Sequence, residues 1–255
     1  LLQEVGLSSQ SKISIQNLSK SFDELIALDK CSFEVEEGSV VSIVGPSGCG
    51  KTTLLWSISG LITPSAGKIL LDEEEVKGPQ EKIGLVFQES NLLPWRNLIE
   101  NIYFPFEIKR IKPDKDWVDH LLERGGLEDF KFKFPNELSG GMQQRGSIVR
   151  ALSLRPSVLL MDEPFGALDA FTREEMNKLV EEIWLETRTT IIFVTHSIQE
   201  AIFLSDRVMV MTNRPGTIKV SYGIDFDYPR EPKILTTPKA IELTDSIKSA
   251  IFSRD

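Results

Sequence analysis

Eight consecutive residues, Gly45-Pro46-Ser47-Gly48-Cys49-Gly50-Lys51-Thr52, follow the apolar run Val40-Val41-Ser42-Ile43-Val44 and set three glycines ahead of a Lys-Thr pair. Glycines between a strand and a helix allow backbone N–H groups to turn inward around an anion, where side chains would block close approach. Lys51 then supplies a point charge for phosphates. Thr52 opens the following helix with a hydroxyl able to ligate Mg²⁺, beside the unpaired donors and favourable dipole of the helix start. Thr53 is placed to bond an α-phosphate. This pattern predicts binding of a nucleoside triphosphate. Cys49 lies among the loop amides beside Lys51, a setting that favours the thiolate, so reaction with thiol reagents is expected there.

Two further segments add chemistry. The apolar strand Val158-Leu159-Leu160-Met161 ends in Asp162-Glu163. Asp162 can hold Mg²⁺ through water, and Glu163 can polarise a water in line with a terminal phosphate. Leu138-Ser139-Gly140-Gly141-Met142-Gln143-Gln144-Arg145 precedes a helix that runs to about Leu154. Taken alone, its Ser-Gly-Gly is compatible with a helix cap or a flexible loop.

The elements that position these residues alternate. Strands are expected over Lys12 to Leu18, Cys31 to Val35, Ser39 to Val44, Gly67 to Leu71 and Ile83 to Phe87, with the acidic run Asp72-Glu73-Glu74-Glu75 as a solvated turn. From Glu89 to Leu154 the spacing becomes helical, interrupted at Pro94, Pro105, Pro113, Gly125-Gly126 and Pro135. Strands at Val158 to Met161, Thr190 to Thr195 and Arg207 to Thr212 then alternate with two helices. In the first of these, Met176, Leu179, Val180, Ile183 and Trp184 share one face. Such β/α alternation predicts a largely parallel sheet covered on both sides. The tail after Val220 reads as an appendage with a weak helix near Ala240 to Phe252.

The composition excludes other classes. With 255 residues and 41% hydrophobic content, the chain can bury a large core. No apolar run approaches the ~20 residues that span a bilayer, and no basic-then-apolar leader is visible at Leu1-Leu2-Gln3-Glu4-Val5-Gly6. A net charge of −9 argues against nucleic acid as a partner. Two cysteines, Cys31 and Cys49, do not make a disulfide framework, and a reducing cytoplasm is expected.

In this order, the phosphate loop, the Ser-Gly-Gly segment and the Asp-Glu pair resemble the motifs of the nucleotide-binding subunit of an ATP-binding cassette transporter. The resemblance spans Phe22 to about Pro215. It implies an α/β P-loop NTPase domain over residues 11–220, with a mostly parallel sheet, an N-terminal antiparallel β subdomain, a helical insertion at about 89–154, and a short appendage over 221–255. It also implies ATP and Mg²⁺ as ligands and ATP hydrolysis as the activity. Phe22 would stack on adenine, and Gly45 through Thr53 would cradle the phosphates. Gln88 would contact Mg²⁺ with Thr52 and Asp162. Glu163 and His196 would act at the γ-phosphate. Asp169 would join two active sites. Ser139, Gly140, Gly141 and Gln143 would contact nucleotide held by a second copy, giving a head-to-tail homodimer.

The partners implied are a transmembrane permease, which would hold the chain at the cytoplasmic face of the membrane, and indirectly a periplasmic or extracellular solute-binding protein. Leu92-Leu93-Pro94-Trp95, Asn101 and Asn213-Arg214-Pro215-Gly216 are similar to the importers of nitrate, sulfonate, taurine and bicarbonate, with Leu92 to Trp95 as the patch for the permease. Gly146 departs from the family, which usually has a larger helix-favouring residue there, and predicts a softened helix. His120 is expected to be incidental. The alternative is a soluble ATPase of the same superfamily, in DNA maintenance, translation or iron–sulfur assembly. The stretch from Lys51 to Ser139 holds no sustained heptads, and only one cassette is present, which disfavours the first two. A GTPase would need Asn-Lys-x-Asp, whereas Asn177-Lys178 is followed by Leu179-Val180.

Overall fold

The computed structural model describes residues 11–166 and 168–253. β1 (Ser11–Phe22) and β2 (Leu25–Glu36) form an antiparallel ribbon. Both strands outrun their expected spans. The register shifts repeatedly along the pair, and Asn17 and Lys30 take positive φ. Such bulges break the alternation by which a strand is read. β3 (Val40–Val44) is buried at every position and leads through the glycine loop into α1 (Lys51–Ile58). β4 (Ala66–Leu71) pairs with β1, and β5 (Glu74–Glu75) with β4, so one sheet runs β2-β1-β4-β5. The acidic run is solvated at Glu73, Glu74 and Glu75, as expected, but is not all turn. Asp72 and Glu73 make the turn at positive φ, Glu74 and Glu75 form β5, and Asp72 bridges Lys12 and Lys82 at 2.8 Å each. The hydrogen bond from Lys12, followed by that from Lys82, holds the Asp72 carboxyl below its usual range.

After β6 (Ile83–Val86) come α2 (Leu98–Lys109), α3 (Lys115–Arg124) and α4 (Gly140–Leu152). Pro105 does not interrupt α2, contrary to expectation. The helix starts with a reciprocal cap between Asn97 and Glu100 and buries Leu98, Ile102 and Phe106, which outweighs the one ladder bond that proline removes. Gly146 has a packing role: a Cβ there would lie 2.7 Å from Leu98 Cδ1, so its absence lets α4 and α2 approach.

β7 (Val158–Asp162), α5 (Ala170–Thr187), β8 (Thr190–Val194), α6 (Ile198–Leu204), β9 (Arg207–Met211) and β10 (Ile218–Gly223) complete the second sheet. Its order is β10-β9-β3-β8-β7-β6, parallel from β9 to β6, with β10 antiparallel at the edge. β3, β7 and β8 are wholly buried, as central strands covered on both faces must be. One apolar core unites this sheet with α2 to α5, and another fills the space around α1 between the two sheets.

The boundary expected at residue 220 falls inside β10. Beyond it, α7 (Pro238–Phe252) places Ala240 and Ile247 in a third core with Val44, Ile202, Val208 and Val210. Arg230 is buried and donates through Nη1 to the carbonyls of Ile202, Phe203 and Ser205 at the end of α6, neutralising that helix terminus. Among the described residues no helix is long and apolar enough to cross a membrane.

Candidate functional site

The glycine loop is shaped by positions that only glycine fills. Gly48 and Gly50 have φ of 73° and 106°, and a Cβ on Gly50 would stand 2.8 Å from Leu28 Cδ2 and 2.9 Å from the Ala27 carbonyl. Lys51 Nζ arches back to the carbonyls of Gly45 and Pro46 at 3.0 and 2.9 Å, so its cation lies across the loop. Thr52 Oγ1 donates to Asp162 Oδ1 at 3.1 Å, which joins the start of α1 to the end of β7.

Asp162 is only 5% exposed, and burial pushes its carboxyl up, against the pull of the Thr52 hydrogen bond. A cation beside it would relieve that cost. Among the described residues no cluster of three or more His, Cys, Asp or Glu could hold a metal ion. An ion at this carboxylate would therefore draw on one hydroxyl, one carboxylate, water and phosphate oxygens, the donor set that suits Mg²⁺. Gln88 is exposed just beyond β6.

Glu163 follows Asp162 with φ at 44°, the left-handed region, a strain of roughly 1–3 kcal/mol held by its N–H on the Val194 carbonyl at 2.9 Å. Its Oε2 lies 3.3 Å from His196 Nδ1. The loop bearing His196 is fixed from below. Thr195 Oγ1 donates to buried Glu200 at 2.5 Å and accepts from the Ser197 N–H at 3.0 Å, while Arg173 Nε stands 3.4 Å from the same Glu200 carboxylate and donates through Nη2 to the Leu168 carbonyl at 2.9 Å. Arg173 thus links the segment before Asp169 to the buried carboxylate under the histidine loop.

A cleft of about 350 Å³ brings together Phe22, Ser47, Gly48, Gly50, Lys51, Thr52, Thr53, Glu163 and Arg214. The Phe22 ring is half-exposed on its wall. The Ser-Gly-Gly residues are not part of this lining. Ser139 caps α4 by accepting from Met142 N at 3.2 Å, and Gly140 faces open space. At Gly141 a Cβ would meet Thr172 Cγ2 at 2.5 Å. Asp169 caps α5, accepting from the N–H groups of Phe171 and Thr172 and from Thr172 Oγ1.

Gln143 is engaged inside the chain: its amide donates to the carbonyls of Pro135 and Leu138, and its Oε1 accepts from Ser90, so it braces the turn before α4. One expectation, the thiolate at Cys49, needs correcting. Cys49 is buried, and burial raises its thiol against the opposing pull of Lys51 and nearby amides, so the thiolate is disfavoured. Sequence reasoning missed Arg214 at the cleft, and Arg173 and Glu200 beneath it. In the sequence, Asn213-Arg214-Pro215-Gly216 carries only a resemblance. Leu92 is buried, whereas Trp95 is 71% exposed on a loop organised by buried Asn101, which accepts from Leu93 N and donates to the carbonyls of Leu93, Arg96 and Asn97.

Residues 28–166 match the family described as ABC transporter. The chain is 47% identical over 221 residues to a taurine import ATP-binding protein of Roseobacter denitrificans, covering 84% of this chain and 82% of that protein. It is 44% identical over 222 residues to an aliphatic sulfonates import ATP-binding protein of Bacillus thuringiensis, covering 86% and 88%. Among solved structures, the ATP-binding cassette MJ0796 in a dimeric, post-hydrolysis state with ADP and Pi superposes with a TM-score of 0.73 at 31% identity, covering 84% of this chain and all of that one.

Proposed function

The chain belongs to the ABC transporter family as an ATP-binding, ATP-hydrolysing subunit, and we propose that it powers import of a small sulfonate-like or taurine-like solute through a separate membrane permease. The observation that carries the mechanism is the division of the site. Lys51, Thr52 and Glu163 share one cleft, while Ser139 and Gly140 are exposed at the start of α4 outside its lining. Two copies arranged head to tail would bring the α4 start of one, with its unpaired N–H groups, to the phosphates held by the other.

In that arrangement Phe22 offers a face for the adenine, the glycine loop turns its amides to the phosphates, and Lys51 exchanges the carbonyls of Gly45 and Pro46 for phosphate oxygens. Thr52 and Asp162, with Gln88, would hold Mg²⁺, which supplies charge neutralisation of the phosphates. Glu163 takes the proton of the attacking water as general base, and His196, in contact with its Oε2, orients that carboxylate. Asp169 sits at the seam between copies. Loss of the bridging γ-phosphate lets the copies part, and differential stability of the closed state would move the permease. Exposed Trp95, held out by Asn101, is the contact for the permease, which keeps the subunit at the cytoplasmic membrane face; a solute-binding protein delivers from the other side.

Co-expression of the chain with a candidate sulfonate permease and solute-binding protein, reconstitution in vesicles, and measurement of ATP hydrolysis with taurine or an alkanesulfonate tests this. Hydrolysis is expected to rise severalfold with loaded binding protein and to vanish in Glu163→Gln. Failure of any sulfonate to stimulate, with stimulation by another solute, would overturn the solute class; failure of the chain to associate with the permease would overturn the transport role.

A further inference from the structure

The loop between β9 and β10 is fastened at both ends and carries Arg214 onto the wall of the cleft. Gly216 donates its N–H to the Ala27 carbonyl at 2.9 Å, and its own carbonyl accepts from Asp29 N at 3.0 Å and from Cys31 Sγ at 3.3 Å. A Cβ on Gly216 would fall 2.0 Å from the Cys49 carbonyl oxygen, so this backbone lies directly against the glycine loop. Thr212 Oγ1 donates to the Pro215 carbonyl at 3.1 Å and accepts from Thr217 N at 3.0 Å, closing the loop on itself. Arg214 is thereby delivered as a fixed group.

Its guanidinium donates twice, through Nε at 3.0 Å and Nη2 at 2.8 Å, to the carbonyl oxygen of Gly48. A peptide unit is planar and trans, so holding the Gly48 C=O on one side sends the Cys49 N–H to the other. That N–H points into the loop, where it meets the Pro46 carbonyl at 3.4 Å. An anion cradle needs its amides turned in and its carbonyls turned out, because an inward carbonyl would repel phosphate oxygens. Glycine at positions 48 and 50 makes this loop conformationally permissive, with both inward and outward peptide orientations open to it. The double hydrogen bond from a charged donor selects one of them and adds a positive charge to the wall of the cleft that holds Lys51.

We propose that Arg214 is a positioning residue for nucleotide phosphates: it clamps the Gly48 carbonyl outward, presets the Cys49 amide toward the phosphate chain, and so raises affinity for nucleoside di- and triphosphates. The proposal rests on the cleft being the ATP site. It assigns a task to the Asn213-Arg214-Pro215-Gly216 segment that the phosphate-loop motif alone leaves unexplained.

Titration of the full chain with ADP and with Mg-ATP, using a fluorescent nucleotide, tests it in Arg214→Ala, Arg214→Gln, Arg214→Lys and Lys51→Ala. Losing a charge-assisted hydrogen bond predicts an affinity about tenfold weaker for Arg214→Ala, toward both nucleotides. Gln keeps a neutral donor and Lys keeps the charge, so each should fall between Ala and the native residue. Amide exchange at residues 47–51 should quicken in the Ala variant, with the nucleotide-free melting temperature unchanged because Arg214 is exposed. Nucleotide affinity within twofold of native in Arg214→Ala overturns the proposal. So does a weakened affinity that tracks a lowered melting temperature and is not restored by Gln or Lys, since that marks a purely structural loss. If Arg214→Ala does not fold, the Gln and Lys variants carry the test by the same criteria. Lys51→Ala separates the two readings: if it too binds normally, the cleft is not the nucleotide site, whereas impaired Lys51→Ala with normal Arg214 variants sinks only the clamp.

Discussion

Two residues of the phosphate site sit under opposing influences, and in both burial wins. At Cys49 the nearby Lys51 charge and the loop amides pull the thiol down, but enclosure pushes it up further; at Cys31 enclosure pushes it up to about 11. Both thiols are free and buried. A disulfide-exchange reagent should therefore leave the native protein unmodified over minutes and titrate two thiols once the chain is unfolded. Rapid labelling of Cys49 that Mg-ATP prevents would contradict this. At Asp162 burial is again the larger influence, and it raises the folded-state pKa above the unfolded value near 3.8. For a carboxyl shifted in this direction the folded state binds the proton more tightly, so stability falls as pH rises from about 3.8 through the folded pKa, and the cost is full at neutral pH. Asp162→Asn keeps an acceptor for Thr52 and removes that cost. Its nucleotide-free melting temperature at pH 7 should exceed that of the native chain, the advantage should shrink toward acid pH, and the extra stability conferred by Mg-ATP should be lost. A lower nucleotide-free melting temperature at pH 7 would show that the ionised carboxylate is not the strained group.

Between elements, the start of α4 approaches the start of α5 closely at Gly141. Thr172 cannot turn away from Gly141, because its Oγ1 is held by Asp169 at 2.7 Å and its branched Cβ leaves Cγ2 in place, 2.5 Å from where a Gly141 Cβ would stand. Gly141→Ala should cost about 1–3 kcal/mol by overpacking, and adding Thr172→Ser, which deletes Cγ2 but keeps the hydroxyl, should restore most of it. Urea unfolding of the two single variants and the double variant measures the coupling; additive losses would mean that α4 and α5 do not meet here. This contact also shows what the sequence could and could not reveal. The phosphate loop, β3, β7 and β8 were legible because their signals are local: a fixed spacing, or a largely apolar run dictated by burial on both faces. The lengths of β1 and β2 were hidden by bulges. β10 had a legible signal, Ile218, Val220 and Tyr222 alternating with Lys219 and Ser221, which the reading of the tail as an appendage passed over. Arg230 reads as a surface residue until α6 places three carbonyls around it. Arg214 against Gly48 and Glu200 between Thr195 and Arg173 exist only once distant segments have folded together.

At the scale of the whole molecule, the Lys51 cleft and the start of α4 are separate within one chain, so under the proposed head-to-tail arrangement the state of assembly should report the state of the nucleotide. Glu163→Gln preserves volume and a hydrogen-bonding group beside His196 but removes the carboxylate that would take a proton from water. ATP should still bind, remain unhydrolysed, and keep its γ-phosphate between the Lys51 cleft of one copy and the α4 start of the other. A stable dimer is then expected by size-exclusion chromatography with light scattering in ATP, and a monomer without it. Ser139→Arg in the same background should abolish the dimer by placing a bulky cation at the seam. Because Ser139 also caps α4, cap loss alone would cost about 1 kcal/mol, and Ser139→Ala serves as the control: it removes the cap while leaving the seam open, and should weaken the dimer less than arginine does. Equal effects from alanine and arginine would attribute the loss to the helix rather than the interface. A Glu163→Gln protein that binds ATP yet stays monomeric at high concentration, and that traps no closed state with the permease, would overturn the head-to-tail mechanism.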